Sequence, residues 1–472
     1  PNAPGGHQSA GSVNRGSSST DNTSAKLRQR KTRLLNIERT NTDRSKNIVR
    51  NFPPKSGTRH APLNSMAAAN KHLKNLEALR GLCALSVLGA HTFGLSEFAK
   101  AFGSQLGPIG ALFPAHLGVL YFFLLSGFVI GSAHKEDRPF DPWLYMRKRA
   151  VRIYPMYILA LALGSLATAT LGLLPLAKSL LLISTTYPGN MVLWSVCFEF
   201  WFYMTLPIIF LMPIKPRLAA YSLAVLSLIV YFGSPGSSLR GDGRAWFLGL
   251  FIWLVGLLIA WSHPQNRESG QPERFSMNFL AYFTMGAAYY SIAGGVLFTA
   301  LGRFNIFGDL SAFKGIISPA DLAGLPVITC GFLLLLGQNL NKWFNYTFWI
   351  CLCLTASILA ASMKSGAFWE VSNYPAAAIF LLTAAVIKCF LCREKGFAIE
   401  NLSKLGGISY GIYIFHMPLL SILYKATSPL ATLNQGIRAF VGISAALFVT
   451  LLISYVTERK IQPALRRRLL KS

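Results

Sequence analysis

The sequence predicts an all-α fold, a polytopic bundle of about 10–12 transmembrane helices behind a disordered basic N-terminal tail. Three observations predict it. Of the 472 residues, 52% are hydrophobic and only 13% are charged, whereas a soluble domain carries about 25% charged residues. The mean hydropathy is +0.42, so much of the surface must meet something other than water. The apolar residues fall in runs of a span's length, about 20 residues for a hydrocarbon core about 30 Å thick, and short polar loops separate them.

Residues 1–72 differ from everything that follows. SAGSVNRGSSSTDNTS is low in complexity, and KLRQRKTRLLNIERTNTDRSK is polar and basic. Such a segment buries too little apolar surface to offset its chain entropy, so it reads as a disordered cytosolic tail. Within it, residues 26–38 could lie as a basic helix on an anionic membrane face. No apolar core of a signal peptide is visible near the start, so none is expected. The membrane domain is expected over 73–457. Its spans are 75–95, 115–133, 153–173, 194–212, 218–233, 245–262, 277–299, 321–338, 344–363, 373–391, 405–425 and 438–457. The run at 179–187 reads as a re-entrant or interfacial piece. Residues 458–472 form a basic cytosolic tail.

The net charge of +27 would suit a nucleic-acid binder, but its distribution does not. Lys and Arg gather in the tail, in RKRAVR at 147–152, in IKPR at 214–217 and at the C-terminal end. An even number of spans puts all four on one side, the cytosol, as the positive-inside rule requires. The expected partner is therefore a lipid bilayer and not nucleic acid, with both termini cytosolic; plasma and internal membranes are not distinguished. Of the seven cysteines most lie in apolar runs, where a thiol acts as a small hydrophobe. Cys389 and Cys392 form a CxxC with no second pair and no neighbouring His, so no metal site is expected.

Ionisable groups inside the spans carry the chemistry. A charge at the centre of a membrane helix costs about 2.5–3.5 kcal/mol, so such groups face a cavity or a partner. Arg80 and His91 stand eleven residues apart in LEALRGLCALSVLGAH, 76–91. That is three helical turns plus roughly 20°, so they share a face about 16 Å apart along the axis. Arg149 and Arg152, at i and i+3, begin the third predicted span on the cytosolic side, where guanidinium groups can grip phosphate. In WSVCFEFWFYMTLP, 194–207, Trp194 suits the far interface and Glu199 lies about a turn and a half inside. Glu199 is expected to match His91 in depth and to orient its imidazole. In LGGISYGIYIFHMP, 405–418, Gly406 and Gly407 allow a tight turn, and Tyr410, Tyr413 and His416 follow. Tyr413 and His416 share a face.

Together these stretches resemble the acyltransferase-3 family of integral membrane acyltransferases. LEALRGLCALSVLGAH is similar to its R-x10-H pattern, YFFLLSGFVIG at 121–131 to FF-x-LSGF-x-I, and RKRAVRIYPMY to R-x-x-R-[IV]-x-P. WSVCFEFWFY is similar to WSL-x-x-E-x-x-FY, ISYGIYIFHMPL to ISY-x-x-Y-x-x-H-x-P, and RAWFLGLFIWLVG at 244–256 is a weaker sixth match. They occur in family order. Two departures stand out. Phe200 and Trp201 follow Glu199 where members often carry a second acid and a Gln, and the chain is expected to lack a C-terminal SGNH esterase-like domain.

The resemblance implies transfer of an acyl group, usually acetyl, from cytosolic acyl-CoA to a hydroxyl of a carbohydrate, lipid or small metabolite, with no bound cofactor. It implies His91 as general base with Glu199 and Arg80 in the catalytic set. Arg149, Arg152 and Arg80 would bind acyl-CoA, and Tyr413, His416, Tyr410 and Trp194 would bind the acceptor or assist. Without the resemblance, twelve spans with intramembrane Arg, His and Glu also fit a secondary transporter coupled to substrate or protons.

Overall fold

The computed structural model describes residues 63–470 apart from 102–105, 169–172, 184–186, 188, 234–240, 263–273, 305–316, 339–340, 367, 370–372, 393, 395 and 433. The predicted tail up to residue 62, with its basic helix at 26–38, lies outside the described residues. Twelve long helices follow in order. They are α1 (Leu63–Ala90), α2 (Ala115–Ala133), α3 (Pro142–Thr168), α4 (Leu193–Leu211), α5 (Pro216–Gly233) and α6 (Gly241–Ser262). Then come α7 (Met277–Phe304), α8 (Pro319–Leu335), α9 (Lys342–Lys364), α10 (Asn373–Val386), α11 (Ser409–Ala426) and α12 (Gln435–Val456). The described residues hold nine helices long and apolar enough to cross a membrane, or ten if the helix pair Glu400–Gly406 and α11, bent by 69°, forms one span. Strand is confined to a two-residue ladder among the described residues, pairing Arg274 with Ala398 and Phe275 with Phe397 in antiparallel register.

Each of the twelve predicted runs falls on a helix over most of its described residues, and two starts are displaced by ten residues or more. The first helix starts at Leu63, ten residues before the expected domain boundary, because LNSMAAANKHLK is rich in good helix formers. The third starts at Pro142, eleven residues before the predicted span. Arg149 and Arg152 therefore sit within continuous helix instead of at its beginning. Pro142 at the first helical position costs no hydrogen bond. Part of the predicted piece at 179–187 closes the short helix Leu173–Leu180. Leu182 then takes a left-handed backbone, φ 57°, and its carbonyl accepts from Trp201 Nε1 at 2.8 Å, tying the loop to α4.

Burial separates inner from outer helices. Within the most apolar stretch of α6, 72% of residues are buried, against 28% for Pro216–Gly233 and 22% for Asn373–Leu391. The bare faces of the outer helices, with Leu211, Phe390, Phe440 and Phe448 exposed, suit lipid and not water. Inside, α2 and α6 meet backbone to backbone. A Cβ on Gly127 would strike the carbonyl of Trp253, and one on Gly256 would strike that of Leu124, the close approach that small residues permit in membrane bundles. A similar contact seats α1 against the short helix before α11, where Gly406 leaves room only for the Glu77 carbonyl. That contact brings Arg80 beside the start of α11.

Candidate active site

A cavity of about 270 Å³ lies among α1, α2, α3, α4, α11 and the helical turns after α12. Three arginines and three glutamates line it: Arg80, Arg152 and Arg466 with Glu77, Glu199 and Glu458. Ser126, Ser195, Tyr203, Tyr410, Tyr413 and Gln462 add hydroxyl and amide groups, and Phe122, Phe123 and Val119 form the apolar wall. Among the described residues, neither Arg80 nor Arg152 has a carboxylate within 4.0 Å. Arg80 has Glu199, Glu77 and Arg152 as its charged neighbours. Two guanidinium groups thus reach the cavity without a direct ion pair among the described residues, with carboxylates near but not in contact, which leaves their N–H donors to water or an anionic ligand.

Glu199 accepts from Ser126 Oγ at 2.6 Å and from the Tyr203 hydroxyl. The expected pairing with His91 is not what the structure contains. Ser195, one turn nearer the start of α4, holds Tyr413 at 2.5 Å. Four residues further along α4, about 6 Å, Glu199 lines the cavity that also holds Arg80. The partner of His91 is His416, with Nδ1 of His91 2.8 Å from Nε2 of His416. The ring centroids are 5.1 Å apart and the planes inclined by 20°. Nδ1 of His416 lies 3.0 Å from the carbonyl of Ile412. A carbonyl only accepts, so the proton of neutral His416 is on Nδ1 and its Nε2 is an acceptor. His91 then donates from Nδ1, and its own Nε2 carries the basic lone pair.

His91 is not among the residues lining the cavity. It reaches the cavity through His416 and Tyr413, whose rings meet edge to face at 6.3 Å, and Tyr413 is a wall residue. Arg80 and His91 therefore belong to adjoining polar clusters and not to one cavity wall. His91 also begins a π-helical turn, His91–Leu95, an irregularity common at functional sites.

The remaining predicted residues divide. Tyr410 lines the cavity with its hydroxyl buried and unpartnered among the described residues. Arg152 lines the cavity while Arg149 does not. The Arg149 guanidinium lies between the rings of Tyr145 and Tyr203, 5.5 Å and 5.4 Å from their centres, and it meets the cavity only through Tyr203. Trp194 packs edge-on to Phe123 and Phe198 and is a half-buried packing residue outside the cavity wall. The side chain of Arg244, in the weakest of the six motifs, lies outside the described residues.

Sequence reasoning missed several groups. Glu458 read as part of a basic tail, but the π-helical turn Thr457–Ile461 turns it inward, and it accepts from the Gly411 amide at 2.6 Å. Gln462 and Arg466, in the helix Gln462–Leu469, join it. The structure does contain a histidine–carboxylate pair, elsewhere. His116 Nε2 is 2.7 Å from Asp321 Oδ1, while the other carboxylate oxygen accepts from the Ser318 amide at 2.6 Å as part of a capping box at the start of α8. No spacing rule connects residues 205 apart.

Comparison with known proteins identifies the family. The family described as an acyltransferase domain, acyltransferase-3, matches residues 73–459. The chain is similar to "Acyltransferase MdmB" of Streptomyces mycarofaciens, 33% identical over 157 residues, which is 29% of this chain and 38% of that protein. It is also similar to "Protein 2 in picA locus" of Rhizobium radiobacter, 32% identical over 91 residues, 19% of this chain and 41% of that protein. The chain thus spans less than half the length of either relative. No solved structure matches it. With a family match running from the first helix to the π turn that carries Glu458, and nine helices among the described residues long and apolar enough to cross a membrane, the chain belongs to the acyltransferase-3 family.

Proposed function

We propose that the protein transfers an acyl group, acetyl in the first instance, from acyl-CoA to a hydroxyl of a carbohydrate, lipid or small-metabolite acceptor. The observation that carries this reading is the pair of guanidinium groups, Arg80 and Arg152, that line the cavity with no carboxylate of the described residues within 4.0 Å. Phosphate is an anion that guanidinium binds in a bidentate fork, and CoA supplies it. The donor enters from the cytosolic side, where both termini and the basic loops lie by the positive-inside rule. His91, with its basic nitrogen set by His416, takes the proton of the acceptor hydroxyl. Tyr410 and Tyr413 bind the acceptor or the acyl carbonyl between the two clusters, and Arg149 supports Tyr203 and the phosphate end.

The test is purified protein with labelled acetyl-CoA and an extract of candidate acceptors, followed by mass analysis. Label on a new ester supports the reading. Label carried intact across a vesicle membrane would favour transport, and intact acetyl-CoA with no product would remove the donor assignment.

A further inference from the structure

Ser126 differs from most helical hydroxyls of the described residues, and unlike Ser195, which reaches across to the Tyr413 hydroxyl, it reaches a carboxylate. Ser86, Thr284, Ser291, Thr355 and Ser454 each donate to the carbonyl four residues back, as serine and threonine usually do inside a helix. Ser126, in the middle of α2, instead reaches across to α4 and donates to Glu199 Oε1 at 2.6 Å. Glu199 is itself held by the Tyr203 hydroxyl, and the indole N–H of Trp253 points at Ser126 Oγ from 3.4 Å. A hydroxyl within hydrogen-bonding reach of a base, with the base oriented by a third group, is the arrangement of an activated nucleophile. Ser126, Glu199 and Tyr203 all line the cavity that holds Arg80 and Arg152.

We propose that Ser126 carries the acyl group between donor and acceptor as an enzyme-bound ester, with Glu199 as its base; this rests on the acyl-CoA reading above. In the first half, Ser126 Oγ attacks the thioester carbonyl and its proton passes to Glu199. The carbon–oxygen bond forms, the carbon–sulfur bond breaks, and the CoA thiolate departs with the guanidinium groups as counter-charge and takes a proton from solvent. In the second half, the acceptor hydroxyl attacks the ester carbonyl and gives its proton to His91, which releases it to solvent. The ester bond to Ser126 breaks, and Glu199 returns the first proton to Ser126 Oγ. No oxidant or further reactant is needed. The relay explains why the carboxylate and the basic imidazole belong to adjoining clusters: each serves one half of the reaction.

The experiment incubates purified full-length protein with radiolabelled acetyl-CoA without acceptor, quenches in acid, and measures label on the protein before and after neutral hydroxylamine. The expected result is an acetyl adduct on the peptide containing Ser126, stable to neutral hydroxylamine as an oxygen ester is, and more abundant in His91→Ala, where the second half is blocked. Ser126→Ala loses the label and the turnover. Ser126→Cys keeps a label that neutral hydroxylamine now removes, because the ester has become a thioester; a serine with only a structural role would not change the chemistry of the adduct. Turnover by the wild type with no label in either wild type or His91→Ala, or Ser126→Ala turning over at the wild-type rate, overturns the inference and leaves the donor reading standing. A wild type that never consumes acetyl-CoA removes both.

Discussion

A neutral imidazole has one basic nitrogen, and which one is basic is decided by the partner of the other. For His91 that partner is His416, fixed in turn by the Ile412 carbonyl. If Nε2 of His91 is the base, His91→Ala should lower turnover by about 10²–10⁴-fold, the usual contribution of a general base, while acyl-CoA binding persists. His416→Gln keeps an acceptor opposite Nδ1 and should retain more activity than His416→Leu, for which a loss of about 10–100-fold is expected by analogy with the partners that orient metal-bound imidazoles. Steady-state turnover of the three variants decides this, and equal rates for Gln and Leu would remove His416 from the positioning role. His134, just past the end of α2, makes a separate residue-scale prediction. Burial, with Arg149 and Lys148 nearby, pushes its imidazole below the ordinary value. The folded state therefore binds fewer protons than the unfolded chain, and stability falls as pH drops below about 6.5. His134→Asn should flatten that slope in melting curves recorded between neutral and mildly acidic pH.

At the scale of elements, apolar run length sufficed to locate all twelve long helices, because a helix in lipid must satisfy its own backbone. Run length could not locate the displaced ends of α1 and α3, since alanine-rich and basic stretches extend a helix without adding hydropathy. The motif stretches identified groups that line one cavity, Arg80, Arg152, Glu199, Tyr410 and Tyr413, while the two ends of the R-x10-H spacing fall in adjoining clusters. Pairing within that set was not legible, because a depth error of one helical turn exchanged Glu199 for His416 as the partner of His91. Glu458 was hidden by a π turn, which shifts the facing of a side chain in a way that a regular 3.6-residue period does not describe. The contact between α2 and α6 depends on Gly127 and Gly256. Gly127→Val should lower the melting temperature of the detergent-solubilised protein, with a cost of about 1–3 kcal/mol for overpacking at a closed contact. It should also lower turnover, since Ser126 is the adjacent residue. A variant with unchanged melting would mean that the two helices can separate freely.

Across the whole molecule, α1 sets the two ends of the site about 16 Å apart, with Arg80 in the charged cavity and His91 beyond Tyr413 in the histidine cluster. Sites that far apart with no shared partner are expected to contribute independently to binding. Arg152→Glu should therefore weaken acyl-CoA binding and leave the acceptor requirement of the residual activity unchanged, whereas His91→Ala should leave acyl-CoA affinity unchanged and remove transfer. Titrating each variant with a non-transferable CoA thioether analogue, and following heat or intrinsic fluorescence, separates the two effects. Raising the salt concentration should weaken analogue binding to the wild type more than to Arg152→Glu, because one of the charges being screened has been reversed. If Arg152→Glu bound the analogue as the wild type does, the guanidinium would serve only the positive-inside pattern. If His91→Ala lost analogue binding together with Arg152→Glu, the two clusters would act as one site, and the separation of donor and acceptor along α1 would have no functional meaning.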